Sequence, residues 1–85
     1  MSGNNKFKLI VQYYAILREQ VGKSEETVET NARTPSELYE QIITHNRLQL
    51  SQKLFKVAIN DEFCHWDTKL KQGDKIIFIP PVAGG

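Results

Sequence analysis

The sequence predicts an α+β roll in which one main helix packs across a mixed sheet, and three observations carry that expectation. Residues 7–14 alternate, with Phe7, Leu9, Val11 and Tyr13 sharing one parity, the pattern of a half-buried strand. Thr34-Pro35-Ser36-Glu37 is a helix start placed directly before an apolar stripe. Lys75-Ile76-Ile77-Phe78-Ile79 is apolar at both parities, as expected of a central strand covered on both faces.

Between these anchors the remaining elements follow in order. Residues 15–20 lead from the first strand to a turn at Gly22, and Glu26-Thr27-Val28-Glu29-Thr30 reads as a polar edge strand, so the two strands suggest a hairpin. Thr34 is placed to cap the helix, Pro35 sits at its first position, and Glu37 is expected to reach back to the Thr34 amide. Leu38, Tyr39, Ile42 and Ile43 fall at helical spacing, which predicts a helix over 35–45. Residues 55–59 form a further strand candidate, Asn60-Asp61 a turn, and residues 62–66 a short strand. A turn over 70–74 then delivers the chain into the last strand. If first and last strands pair in parallel through a right-handed crossover, Tyr14 and the C-terminal segment emerge side by side.

Composition removes several function classes. At 85 residues the chain is one domain with one modest core. Eleven basic residues against ten acidic ones create no basic field, which argues against nucleic acid as a partner. Apolar runs such as Ile76 to Ile79 are far short of the ~20 residues of a membrane span, and no signal-like segment precedes Phe7. A cytoplasmic protein is the expectation. Cys64 is the single cysteine, so no internal disulfide is available.

The chemistry concentrates in residues 80–85, Pro80-Pro81-Val82-Ala83-Gly84-Gly85. With Gly near 7% of residues, a Gly-Gly end arises by chance in roughly one chain in two hundred. Two glycines lack Cβ atoms and pass through a narrow active site without clash. The prolines lack N–H groups and fix φ near −65°, so they end a strand ladder and begin a stiff, extended stalk. Six extended residues reach roughly 20 Å at ~3.3 Å each. The reading is a tail projected into a partner's active site.

Beside that tail, parity puts Ile76 and Phe78 toward the helix and leaves Ile77 and Ile79 on the opposite face with Ile10 and Tyr14. Phe63, after the turn, is placed to join them. An apolar set of this kind next to a projected tail is expected to be a docking surface. Cys64-His65 invites a thiol–imidazole reading, but adjacent strand residues point to opposite faces, so the two side chains do not meet. His45, His65 and Cys64 lack the paired spacing of a zinc site, and no metal is expected.

These residues resemble the family of sulfur-carrying small subunits of molybdopterin synthase, within the ubiquitin-like β-grasp superfamily. The resemblance runs over nearly all of 7–85. It rests on Tyr13-Tyr14-Ala15 with Leu17-Arg18-Glu19 and Gly22, on Val57-Ala58-Ile59-Asn60, and on Leu70-Lys71-Gln72-Gly73-Asp74. Most specific is Phe78-Ile79-Pro80-Pro81-Val82-Ala83-Gly84-Gly85, because thiamin-pathway carriers share the Gly-Gly but generally lack the double proline.

The resemblance implies a β-grasp domain over 7–79, between an N-terminal segment 1–6 and the tail 80–85. It further implies that an E1-like activating enzyme uses ATP to adenylate Gly85, and that a sulfur donor system converts the adenylate to a thiocarboxylate. A large catalytic subunit then receives Pro80, Pro81, Val82, Ala83 and Gly84 in its active site. There sulfur passes to cyclic pyranopterin monophosphate to build the molybdopterin dithiolene. The family assembly is a heterotetramer, and by position Tyr14, Phe63 and Ile79 match its apolar contacts with the large subunit. The small subunit binds no cofactor and is no enzyme alone; Gly85 is a reacting group. Sulfur carriage for thiamin or tRNA thiolation, a ubiquitin-like protein modifier and a plain interaction module are the rival readings.

Overall fold

A computed structural model describes residues 6–80. In chain order these form β1 (Phe7–Tyr13), α1 (Ala15–Val21), β2 (Glu25–Thr30), α2 (Pro35–Asn46), a single 3-10 turn at Gln52–Leu54, β3 (Lys56–Ile59), β4 (Glu62–Cys64) and β5 (Lys75–Ile79). The strands make one mixed sheet in the order β2-β1-β5-β3-β4. β5 is central, parallel to β1 and antiparallel to β3, and β2 lies at the edge, antiparallel to β1.

The alternation in β1 does what its parity requires. Leu9, Val11 and Tyr13 are fully buried, while Ile10 and Gln12 are half-buried on the other face. Leu17 of α1 and Leu38 and Ile42 of α2 share one core with Leu9, Val11, Ile76 and Phe78, so both helices draw on the same face of the sheet. Tyr39 anchors one end of that core. Its ring lies 5.8 Å from Phe55, 5.6 Å from Trp66 and 5.3 Å from Phe78, edge-on to the last two, which stack on each other. Its hydroxyl donates to the Leu50 carbonyl at 2.6 Å, giving a buried aromatic the polar partner it needs.

The segment after β1, expected to be a connector, is the helix α1. Its seven residues are mostly good helix formers, yet only Leu17 is buried, so no periodic stripe announced it. Gly22 ends it at φ 91°, donating its N–H to the Arg18 carbonyl at 2.9 Å, a conformation suited to a residue without Cβ.

α2 begins at Pro35 as expected and runs one residue further than predicted, to Asn46. Thr34 Oγ1 accepts from the Glu37 amide at 3.2 Å. The return bond differs from expectation: Glu37 Oε1 accepts from the Arg33 amide at 2.8 Å, one residue upstream of Thr34. The pairing satisfies a different donor at the same corner. Arg47 closes the helix at φ 56°, where its amide and that of Leu48 bond the last turn's carbonyls.

β3 and β4 are each shorter than expected. Phe55 is buried but precedes β3, and β4 ends at Cys64. Asn60 and Asp61 both have positive φ, 53° and 72°, which makes their link a two-residue hairpin turn of the kind that matches sheet twist. In β5, Ile76 and Phe78 face the core, and Ile77, 8% exposed, lies on the far face. Lateral neighbours Gln12 and Ala58, its register partners, flank it there. Among the described residues no helix is long and apolar enough to cross a membrane.

Candidate functional site: the outer face and the exit of β5

The parallel ladder between β1 and β5 ends in the pair Tyr13–Phe78. One step further along each strand are Tyr14 and Ile79, which therefore leave the sheet at the same end. Ala15 follows Tyr14 at φ 51°, a left-handed conformation that turns the chain sharply into α1. The Tyr14 carbonyl accepts from Leu17 and Arg18 as the helix starts. The Tyr14 hydroxyl donates to Gln12 Oε1 at 3.2 Å, which fixes its ring on the same face as Gln12.

From Gln12 a row crosses the sheet on that outer face. Gln12 pairs with Ile77, Ile77 with Ala58, and Ala58 with Phe63 of β4. Ile79 pairs with Lys56 one row nearer the tail. The structure thus brings Tyr14, Ile77, Ile79 and Phe63 onto one face, with Ile10 at the same parity on β1. Exposure is uneven: Tyr14 is 44% and Phe63 69% exposed, whereas Ile77 and Ala58 are shielded. Ile79 and Pro80 are half-buried. Two exposed rings consequently flank a filled aliphatic floor, and exposed Lys56 stands at its rim.

The alignment of β5 depends on a polar cluster at its start. Asp74 is buried at 5% exposure, and its carboxylate accepts from Asn60 Nδ2 at 3.0 Å and from the Lys71 amide at 2.8 Å. Asn60 Oδ1 in turn accepts from the Lys75 amide at 3.0 Å. Gly73, at φ 85°, donates its N–H to the Lys8 carbonyl. One side chain therefore ties the β3–β4 turn to the entry of β5. Sequence reasoning placed this Gly-Asp pair in a turn and missed the network, whose only signal is an Asn in the preceding turn.

Other candidate groups lie apart. Cys64 packs partly against the core, and burial pushes its thiol up, the direction that makes a weak nucleophile. His65 is exposed next to it in sequence. Among the described residues no three His, Cys, Asp or Glu side chains gather as a metal would need. A surface groove lies away from this face, between β2 and α2. Pro81, Val82, Ala83, Gly84 and Gly85, named from the sequence as the tail, lie outside the described residues.

Residues 11–85 match the ThiS family. A molybdopterin synthase sulfur carrier subunit from Chlamydomonas reinhardtii is 37% identical over 79 residues, covering 88% of this chain and 95% of that protein. Among solved structures, a putative molybdopterin converting factor, subunit 1, from Pyrococcus furiosus superposes with a TM-score of 0.74 at 27% identity, over 89% of this chain and 99% of the other. A chain of the complex of subunits 1 and 2 of the molybdopterin-converting factor from Helicobacter pylori gives 0.64 at 26% identity, over 93% and 100%. The small archaeal modifier protein 1 of Methanosarcina acetivorans gives 0.77 at 20% identity, over 96% and 100%, a likeness of fold alone.

Proposed function

The chain belongs to the ThiS family and has the ubiquitin-like β-grasp fold, and from that premise we propose that it is the sulfur-carrying small subunit of a molybdopterin synthase. The observation that most supports the reading is the parallel β1–β5 pairing, which sets Tyr14 and Ile79 side by side where β5 runs into Pro80. A large subunit gripping the outer face through Tyr14, Phe63 and Ile79 would hold the start of the tail at its own surface. The curated relative named a molybdopterin synthase sulfur carrier subunit gives the reading its pathway.

In the proposed reaction the Gly85 carboxylate attacks the α-phosphorus of ATP on an E1-like enzyme, and pyrophosphate leaves. Sulfur from a donor system then attacks the acyl carbon of the adenylate, displacing AMP and leaving a thiocarboxylate. Its sulfur is a far better nucleophile than the carboxylate oxygen and attacks cyclic pyranopterin monophosphate in the large subunit. Two such deliveries supply the dithiolene. Catalysis belongs to the partners in the cytoplasm; this chain supplies the reacting terminus and the docking face. Ordering the tail costs on the order of 1 to 2 kcal/mol per residue, which docking of the body offsets and the stiff prolines lessen.

The test is the intact mass of the protein after incubation with ATP, the activating enzyme and a sulfur source, with fragmentation to locate any change. Exchange of one terminal oxygen for sulfur at Gly85 is the expected result. An unmodified terminus beside a demonstrably active enzyme would overturn it in favour of an interaction module, and isopeptide conjugates would do so in favour of a protein modifier.

A further inference from the structure

We propose that the groove between β2 and α2 is a second docking surface, one that takes an extended basic and apolar segment of a partner protein as an added strand along β2. Among the described residues β2 has β1 as its one neighbour in the sheet. Beyond the last paired residues, the Tyr13 amide donates to the Ser24 carbonyl at 2.9 Å. Antiparallel ladders alternate hydrogen-bonded and open pairs, so Glu26, Val28 and Thr30 turn their backbone groups toward β1. Those of Glu25, Thr27 and Glu29 point away from it. Such a row of N–H and C=O groups is a template for one more strand.

Next to this edge the groove has a volume of about 690 Å³, with Val28, Leu38 and Ile42 among its lining residues. The apolar members offer seats for alternate side chains of an added strand. Glu26, Glu29 and Glu40 also line the groove, and no Lys or Arg does. Lys23 meets Glu26 at 3.1 Å, whereas Glu29 and Glu40 form no ion pair among the described residues.

The charge decides the occupant. A second copy pairing edge to edge would set Glu25 and Glu29 against their own kind, and nucleic acid would meet the same field. A strand bearing Lys or Arg between apolar residues meets complementary charge, free backbone groups and an apolar floor together. Phe63 is on β4, at the opposite edge of the sheet from β2, and the outer face is turned away from α2. Both surfaces can therefore be occupied at once.

The experiment selects displayed random peptides on the immobilised full chain, then measures the best binder as a synthetic peptide. Enrichment of sequences with alternating apolar and Lys or Arg residues is expected. Thr27→Pro removes an edge N–H without breaking the β1 ladder and should weaken binding by roughly tenfold, the scale of a lost hydrogen bond in a desolvated setting. Glu29→Lys with Glu40→Lys should weaken it similarly, and Phe63→Asp should leave it unchanged. Circular dichroism checks each fold; if Thr27→Pro unfolds, N-methylation of alternate peptide amides replaces it. Selection of no basic sequence, binding indifferent to the edge and charge changes, or self-association of the chain in sedimentation would overturn the proposal.

Discussion

Tyr13 and Phe78 are register partners at the end of the parallel β1–β5 ladder, both fully buried, and each hands the chain directly to a residue of the outer face. Tyr14 and Ile79 therefore move with the core. Rigid seating is what a docking surface needs if it is to aim the segment that follows it.

The outer face predicts its own mutational signature. Phe63→Asp and Ile79→Asp should each weaken binding of the large subunit by roughly tenfold to a hundredfold, because docking would bury an unpaired carboxylate. Phe63 is 69% exposed, so its change should leave the melting temperature within a few degrees of the parent. Isothermal titration with the purified large subunit checks both, and unchanged affinity in both variants would remove this face from the docking reading.

Asp74→Ala should be among the more damaging single changes to stability. It strips the Asn60 amide and the Lys71 N–H of their acceptor at a buried position, at a cost of roughly 2 to 4 kcal/mol. Asp74→Asn keeps one acceptor oxygen and should cost less. Urea unfolding measures both, and equal stability of Ala and Asn variants would mean that the network adds little beyond turn geometry.

Most of the frame was legible because its signals are local. Alternation in β1, the Thr34-Pro35 cap of α2 and the doubly apolar β5 each lie within a few neighbouring residues; the parallel pairing of β1 with β5, only a condition in the sequence, is supplied by the fold. α1 escaped because a seven-residue helix with one buried residue, Leu17, has no period to detect. The Asp74–Asn60 bond escaped because it joins two turns 14 residues apart. Sequence parity put Ile77 on the outer face, but only the packed sheet reveals that Gln12 and Ala58 flank it and leave Tyr14 and Phe63 as the exposed rings. The acidic groove likewise exists only once β2 and α2 are laid together.

Arg47 occupies the left-handed position after α2, at φ 56°, where glycine is the usual residue. Arg47→Gly removes a Cβ clash of roughly 1 kcal/mol but loosens the unfolded chain, so a net gain of about 0.5 kcal/mol is expected. Thermal unfolding should register a rise of a few degrees. A fall would mean that the Arg47 side chain contributes more than its strained backbone costs.

Alkaline pH should unfold the protein through its buried phenols. Burial pushes Tyr39 up to about 12, and burial together with the Glu26 bond and charge pushes Tyr13 up as well. An unfolded tyrosine titrates near 10. Between those values the native state holds protons that the unfolded state has released, so the phenols' contribution to stability is fully present below about pH 10 and is lost as pH rises toward 12. Tyr39→Phe deletes one contributor and also the bond to the Leu50 carbonyl. At neutral pH it should cost roughly 1 to 2 kcal/mol. Above pH 10 the same variant should lose stability less steeply than the parent, with the residual slope belonging to Tyr13. Urea midpoints measured across the alkaline range decide the matter: parallel curves for the two proteins would show that Tyr39 ionises as freely in the native state as in the unfolded one.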